Sequence, residues 1–219
     1  MATILVTGAA RGIGLALTEA YVARGDLVLA TCREPSRALL DLGAEVIEGI
    51  DVSQDECVAR LEQTVHGRPI DVAINNAGVL LSEQKGRYDF VALRKQYETN
   101  ALGPLRVTAA IRRSLHPGSK LVIVTSRMGS IGDNASGGMY GYRMSKAAVN
   151  MAAVNLAYEL RSTGVAVGLL HPGMVATDMG SAHGVPVDEA ARMLLARIDE
   201  LALDGPVKFL HANGQPLPW

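Results

Sequence analysis

Tyr142 and Lys146 stand four positions apart, so on a helix their side chains lie on the same face. A free phenol has a pKa of about 10 and exchanges protons poorly at neutral pH. A nearby ammonium group lowers that pKa because it favours the phenolate. The pair is therefore suited to giving a proton to a substrate oxygen, or to taking one from it. Tyr140 is an alternative phenol, but the residue four positions after it is Met144, which carries no charge. The spacing favours Tyr142.

Ser126 follows an apolar run that ends at Val124 and predicts a strand. The carboxyl ends of strands are where open α/β sheets bind their ligands. The Ser126 hydroxyl could donate to an oxygen on which negative charge develops, and Thr125 is the alternative hydroxyl. His171 ends another predicted strand, but no third group marks a nucleophile system there. We therefore expect a structural histidine that bonds its neighbours.

Three glycines, Gly8, Gly12 and Gly14, separate the first predicted strand from the first predicted helix. Such a loop permits a tight turn and a close approach to a pyrophosphate, which the helix N-terminus attracts. Arg11 lies in this loop, and Arg33 follows the second strand, where an NAD site places a carboxylate. Two cations at these positions favour a 2′-phosphate, hence NADP(H), although solvated surface arginines are the alternative.

Short β-rich runs alternate with longer amphipathic patterns along the chain. The pattern predicts strands at Thr3–Thr7, Leu27–Thr31, Glu45–Glu48, Ile70–Asn75, Lys120–Thr125, Ala166–His171 and Val207–Leu210. It predicts helices at Ile13–Arg24, Gln54–His66, Tyr88–Leu115, Lys146–Arg161 and Asp188–Leu203. This alternation indicates one Rossmann-type α/β domain over residues 1–219, a doubly wound parallel sheet of about seven strands with helices on both faces. The segments Gly132–Gly138 and Gly180–Pro186 are predicted to be loops, and the second is predicted to be a mobile flap.

Composition excludes several classes of partner. The formal charge is −1 with scattered cations, and aromatic residues make up 4%, so we expect neither nucleic acid nor a membrane surface as partner. No apolar run is long enough to predict a membrane span. Cys32 and Cys57 are far apart, which favours reduced thiols over a disulfide or zinc site. No metal-ligand spacing occurs, and we expect a cytoplasmic protein.

The order of these motifs resembles the short-chain dehydrogenase/reductase family. The T-G-x-x-x-G-x-G loop is followed by Asp51-Val52, by Asn75-Asn76-Ala77-Gly78, by Ser126 with Gly129, by Tyr142 with Lys146, and by the run from His171 to Thr177. The resemblance spans residues 3–219. The ending Gly214–Trp219 resembles the carbonyl reductase and C-factor-like branch.

This resemblance implies roles for individual residues. The catalytic set would be Ser126, Tyr142, Lys146 and Asn100, with Asn100 holding a water that links Lys146 to solvent. The NADP(H) site would comprise Gly8, Arg11, Gly12, Ile13, Gly14, Arg33, Asp51, Val52, Asn75, Ala77, Gly78, Tyr142, Lys146, Pro172, Gly173, Val175 and Thr177. Asp51 also suits a helix N-cap, and the two roles are compatible.

The resemblance predicts hydride transfer that reduces a small aldehyde, ketone or diketone. An alcohol or steroid dehydrogenase working in the oxidative direction is one alternative, and a low-turnover NADP-binding regulatory protein is another. Pocket walls are expected from Arg127, Met128, Tyr140, Met174 and Met179. Family members assemble through long helices, so we expect a homodimer or homotetramer.

Overall fold

The computed structural model describes residues 1–84, 86–180 and 183–219. Its centre is a parallel seven-stranded sheet with the order β3-β2-β1-β4-β5-β6-β7. The strands are β1 (Thr3–Thr7), β2 (Leu27–Thr31), β3 (Glu45–Ile47), β4 (Val72–Asn75), β5 (Lys120–Val124), β6 (Ala166–His171) and β7 (Phe209–His211). The predicted fold class and strand number are confirmed. The direction of winding reverses between β1 and β4, so a crevice opens at their carboxyl ends.

Seven α-helices cover the sheet in the described part of the chain. They are α1 (Gly12–Ala23), α2 (Arg37–Leu40), α3 (Glu56–Val65), α4 (Phe90–Tyr97), α5 (Gly103–Ile111), α6 (Tyr140–Arg161) and α7 (Val187–Glu200). Alternate strand residues point to opposite faces. Leu5 joins the core beneath α3, α5 and α6, whereas Ile4 and Val6 join the core beneath α1 and α7. Both faces of the sheet are thus buried, as the apolar strands predict.

Two expectations about helices were wrong. The predicted helix Tyr88–Leu115 begins at Phe90 and is interrupted by a π-helical turn at Glu98–Leu102, and it closes in a 3₁₀ turn at Arg112–Ser114. The helix expected from Lys146 begins six residues earlier, at Tyr140, so it includes Tyr142. The short α2 was not predicted, because four residues carry no periodicity. Strand ends differ from the prediction by at most two residues.

Other expectations concern loops, thiols and membrane spans. Gly132–Gly138 lies outside regular structure, whereas the expected flap Gly180–Pro186 includes Ser181 and Ala182, which fall outside the described residues. Cys32 and Cys57 are buried free thiols, as expected. Of the helices in the described ranges, none is long and apolar enough to cross a membrane.

Candidate active site

The glycine loop has the geometry of an anion cradle. Gly8 and Gly12 have φ of 68° and 56°, a left-handed conformation that favours glycine. The N-cap of α1 is Arg11, whose side chain makes no capping bond, and the first turn of α1 contains no acidic residue. The N–H groups at the start of α1 therefore have no side-chain cap and could bind phosphate oxygens.

The loop packs tightly against the Asn75–Gly78 turn that follows β4. A Cβ atom on Gly8 would lie 2.9 Å from the Cα of Ala77, so a larger residue would push the two segments apart. The Thr7 hydroxyl accepts hydrogen bonds from the N–H groups of Asn76 and Ala77, each at 3.1 Å. The Asn76 amide in turn donates to the Thr7 carbonyl at 2.9 Å. Thr7 and Asn76 lay inside the quoted motifs but were not among the predicted site residues.

The side-chain nitrogen Nδ2 of Asn75 is buried and has no hydrogen-bond partner in the described structure. An unpaired buried donor costs free energy, so a ligand atom that accepts from it would be stabilised. Together with the uncapped start of α1, this donor makes the cleft a good fit for a dinucleotide.

The two predicted phosphate-binding arginines lie on the rim of the cleft. The Arg11 guanidinium forms an ion pair with Asp178, and both side chains are largely exposed. Arg33 is also exposed and contributes to the electrostatics of Asp51. Burial raises the pKa of the Asp51 carboxyl, but hydrogen bonds from Ser53 and the charges of Arg33 and Lys95 outweigh it and lower the pKa. The Arg33 cation thus lies close enough to Asp51 for its charge to act on the carboxyl.

Val52, which follows Asp51, is buried. A Cβ atom on Gly103 at the start of α5 would lie 2.9 Å from a Val52 methyl group. Ile13 in the first turn of α1 is half-buried. Val52 thus packs against the start of α5, and Ile13 directly follows Gly12 of the glycine loop.

Ser126 and Tyr142 come together at the end of β5. Ser126 precedes a 3₁₀ turn at Arg127–Gly129, and its hydroxyl accepts from the Met128 N–H at 3.1 Å. The Ser126 side chain also acts on the Tyr142 phenol, whose pKa it lowers against the effect of burial. The alternatives lie elsewhere: the Thr125 hydroxyl donates to the Asn150 amide oxygen at 2.6 Å, and the exposed Tyr140 ring packs edge-on against Tyr88. The geometry therefore groups Ser126, rather than Thr125, with Tyr142.

Lys146 is buried beneath this pair. Its Nζ atom donates to the Val124 carbonyl at 3.0 Å and lies 5.8 Å from the centre of the Tyr142 ring. Burial lowers the pKa of Lys146 to about 8. Burial also raises the pKa of Tyr142, and the Ser126 side chain opposes this effect. The net shift of the phenol pKa is upward, opposite to the lowering that the sequence predicts from the ammonium group.

Gly129 allows the 3₁₀ turn to press against α6. A Cβ atom on Gly129 would lie 2.7 Å from the carbonyl carbon of Lys146 and 2.9 Å from its Cβ. Any larger side chain would displace either the turn that follows Ser126 or the helix that carries Tyr142. Close packing of these backbones fixes the distance between the two hydroxyl groups.

Asn100 lies in the π-helical turn and is 1% exposed. Its amide oxygen accepts from the Val79 N–H, and its amide nitrogen donates to the Val79 carbonyl, both at 2.8 Å. The same nitrogen donates to the Ser145 hydroxyl at 3.0 Å. Asn100 therefore ties the chain after Gly78 to helix α6, a structural contact that the sequence did not predict.

The run after β6 closes the other side of the cleft. Gly173 has φ of 91°, and a Cβ atom there would lie 3.3 Å from Nε2 of His211. Val175 is buried and forms a bridge with Val185, while the Thr177 methyl group lies 3.5 Å from where a Gly12 Cβ would be. Thr177 thus lies against the glycine loop, and Pro172, Gly173 and Val175 precede it in the same run.

We expected His171 to be a structural histidine that bonds its neighbours, and one of its ring nitrogens departs from this expectation. Its Nδ1 atom is buried without a hydrogen-bond partner in the described structure, and its ring lies edge-on to His211 at 5.1 Å. Burial, followed by the charges of His211, Arg127 and Lys146, lowers the pKa of His171 to about 4. The ring is therefore neutral at physiological pH.

The side chains expected to form pocket walls are mostly exposed. Tyr140, Met174 and Met179 are exposed large side chains. Arg127 forms an ion pair with Asp133 in the loop that follows it. Four of the five expected wall residues are thus exposed, and Met128 is half-buried.

Comparison with known proteins gives consistent similarities. The model of the family described as short chain dehydrogenase matches residues 2–185. The 1-hydroxy-2-glutathionyl-2-methyl-3-butene dehydrogenase of Rhodococcus sp. (strain AD45) is 42% identical over 228 residues and covers 100% of both chains. The C-signal of Myxococcus xanthus is 44% identical over 155 residues, 69% of this chain and 93% of that protein.

A solved structure extends the similarity to the whole fold. The crystal structure of a carbonyl reductase from Pseudomonas aeruginosa PAO1 in complex with NADP is 31% identical, with a TM-score of 0.87 and 100% coverage of both chains. These relatives match the carbonyl reductase and C-factor-like branch that the sequence resembles.

Proposed function

Because this chain belongs to the short-chain dehydrogenase family, an oxidoreductase family, we propose that it uses NADPH to reduce a small aldehyde, ketone or diketone to an alcohol. The observation that carries the proposal is the grouping of Ser126 and Tyr142 with the buried Lys146, whose Nζ atom lies 5.8 Å from the centre of the Tyr142 ring. Two hydroxyl groups and an ammonium are what a carbonyl oxygen needs when it becomes an alkoxide.

The cleft offers contacts for each part of NADP(H). We propose that the N–H groups at the start of α1 bind the pyrophosphate, and that Arg11 and Arg33 bind the 2′-phosphate. Asp51 and Val52 would contact the adenine, and the Asn75–Gly78 turn the centre of the molecule. Pro172, Gly173, Val175 and Thr177 would hold the nicotinamide, and Tyr142 and Lys146 its ribose. When bound, NADPH supplies the hydride that forms the new C–H bond.

Tyr142 completes the reaction by giving its phenolic proton to the substrate oxygen, so that the new O–H bond forms as the phenol becomes a phenolate. The Ser126 hydroxyl donates a hydrogen bond to the same oxygen while negative charge develops on it. The Lys146 ammonium stabilises the phenolate, and its pKa of about 8 keeps it charged at neutral pH. Solvent protons then restore the phenol, by family resemblance through a water held near Asn100.

The oxidative direction is the second candidate. It is favoured by the full-length similarity to the Rhodococcus enzyme, whose name describes a dehydrogenase of a hydroxylated glutathione conjugate. A low-turnover NADP-binding regulatory role is the third candidate function, suggested by the similarity to C-signal. We place it last because Ser126, Tyr142 and Lys146 are all present and adjacent. We further propose a cytoplasmic homodimer or homotetramer, a location consistent with two buried free thiols.

The direct test follows NADPH and NADH absorbance with a panel of aldehydes, ketones and diketones, and follows NADP⁺ with the matching alcohols. We expect carbonyl-dependent oxidation of NADPH at a higher rate than that of NADH. Alcohol oxidation without carbonyl reduction would support the second candidate. Binding of NADP(H) without turnover in either direction would support the regulatory role. A higher rate with NADH than with NADPH would contradict the role given to Arg33.

Substitution of Tyr142 tests the proton donor. Tyr142→Phe should lower turnover by at least about 100-fold, because the substrate oxygen loses its acid. NADPH should bind with nearly unchanged affinity, measured by fluorescence titration. Tyr97→Phe, at an exposed tyrosine at the end of α4, is the matched control and should keep wild-type rates. Wild-type rates in Tyr142→Phe would show that another group donates the proton.

A further inference from the structure

Helix α6 carries both Tyr142 and Lys146 but lacks a capping residue of its own. Its N-cap, Met139, has a left-handed backbone with φ of 51° and makes no side-chain capping bond. The first turn of α6 contains no acidic residue. The first N–H groups of a helix need acceptors, and the positive end of the helix dipole favours a negative charge. The helix must therefore be capped from elsewhere in the chain.

Glu83, more than fifty residues earlier in the chain, is that cap. Its two carboxylate oxygens accept from the backbone N–H groups of Tyr140 at 2.8 Å and Gly141 at 2.6 Å. A Cβ atom on Gly141 would lie 3.0 Å from a Glu83 carboxylate oxygen and would overlap the amide nitrogen of Gln96. Glycine at 141 therefore leaves the space that the carboxylate occupies.

The segment that carries Glu83 is held at every second residue, namely Val79, Leu81 and Glu83. Asn100 bonds both the N–H and the carbonyl of Val79, and the fully buried Gln96 accepts from the Leu81 N–H at 3.1 Å. Glu83 then reaches α6. We call residues 79–83 the strap, because they run from the Asn75–Gly78 turn to the start of the catalytic helix.

We propose that Glu83 is a positioning residue that fixes the first turn of α6 and compensates its dipole, so that it sets the acidity of Tyr142 without touching the substrate. This rests on the role proposed for Tyr142. Lys146 on α6 lies 5.8 Å from the Tyr142 ring, and the charges of Lys146 and of Arg127 after β5 also act on His171 at the end of β6. Glu83 binds the N–H group of Tyr140, whose ring packs against that of Tyr88. Among the described residues, Glu83 is the carboxylate bound to the first turn of α6.

The direction of the effect follows from the charge. Without the Glu83 carboxylate, the positive end of α6 would favour the phenolate, and the pKa of Tyr142 would fall. A charge that interacts with the dipole at a helix end typically changes a pKa by about half a unit. In Glu83→Gln we expect the high-pH decline of carbonyl reduction to move down by about that amount, and kcat to fall about 10-fold because the helix turn is less fixed. The affinity for NADPH should stay within about 2-fold.

The experiment compares two capping residues. Asp89 is the N-cap of α4, and one of its carboxylate oxygens accepts from the N–H groups of Val91 at 3.0 Å and Ala92 at 3.1 Å. Asp89→Asn should lower stability without changing kcat or the pH profile. Gly141→Ala, which displaces the Glu83 carboxylate, should reproduce the pH shift and serves where Glu83→Gln is unstable. Equal behaviour of Glu83→Gln and Asp89→Asn, with loss of stability alone, would overturn the proposal.

A second readout separates this proposal from the proposed function. The phenol of Tyr142 can be titrated by ultraviolet difference absorbance, with and without NADP⁺, by subtracting the signal of the matching Tyr142→Phe protein. A lower midpoint in Glu83→Gln supports the role of Glu83 even if the protein reduces no carbonyl. An unchanged midpoint in a protein that does turn over refutes the role of Glu83 and leaves the proposed function standing.

Discussion

Burial of the Lys146 ammonium group destabilises the folded protein. Its side chain is 5% exposed, and its hydrogen bond is to a carbonyl oxygen. Its pKa falls from 10.5 to about 8 on burial. Below pH 8 the lysine is charged in both the folded and unfolded states, so the folded protein bears the full desolvation cost, about 3 kcal/mol. Between pH 8 and about 10 the folded protein binds fewer protons than the unfolded chain, and this cost is relieved as pH rises.

Lys146→Met should therefore make the protein more stable at pH 7 while turnover is lost. We expect a gain of about 1–2 kcal/mol, because the Val124 carbonyl loses its partner and offsets part of the relief. The difference from wild type should shrink as pH rises from 8 to 10. Urea unfolding at several pH values measures the free energy of unfolding. Lys208→Met, at an exposed lysine, is the control, and its free energy of unfolding should stay within about 0.5 kcal/mol of wild type. A less stable Lys146→Met at pH 7 would contradict the cost assigned to burial.

At the scale of elements, the sequence predicted what depends on local pattern. The strands were found because their residues are apolar on both faces, and the glycine loop because it joins a strand to a helix. The break in the helix Tyr88–Leu115 was missed because the hydrophobic period runs through Glu98–Leu102. The strap was missed because its partners, Gln96 and Asn100, lie 15 and 21 residues away, and such contacts leave no periodic signal.

Asn100, which lies in the π-helical turn, holds the strap through two hydrogen bonds to Val79. Asn100→Ala would leave the N–H and carbonyl of Val79 without partners, so we expect a loss of about 2–4 kcal/mol in the free energy of unfolding. The strap should open more often, because two of its anchoring bonds are gone. Hydrogen exchange at residues 79–83 should accelerate well beyond the change in the rest of the chain.

Asn150→Ala is the matched control for this experiment. It also removes a buried asparagine, one that accepts from Thr125 rather than from the strap. It should lower stability but leave exchange at residues 79–83 unchanged relative to the global shift. Unchanged exchange in Asn100→Ala would mean that the strap is held by its other contacts alone.

At the scale of the whole molecule, the parallel sheet gathers distant segments at one edge. The glycine loop after β1, the turn after β4, Ser126 after β5 and the run after β6 are separated in sequence and adjacent in space. The opposite side of α6 presents exposed apolar residues, Met144, Met151 and Tyr158, spaced seven residues apart. Seven residues are close to two helical turns, so the three side chains form one stripe along the helix. The formal charge of −1 gives little repulsion between copies.

We expect this stripe to pack against the same stripe of a second copy. A twofold axis brings each substitution into the interface twice, so one charge per chain places two like charges within it. Met151→Lys, at the centre of the stripe and 63% exposed, should weaken self-association at least about 10-fold, because each ammonium would be desolvated without a partner. Light scattering and sedimentation across a concentration series measure the change. Leu40→Lys replaces an exposed apolar residue on α2 and should leave the assembly unchanged. Equal masses for wild type and Met151→Lys at every concentration would place any interface on another face of the molecule.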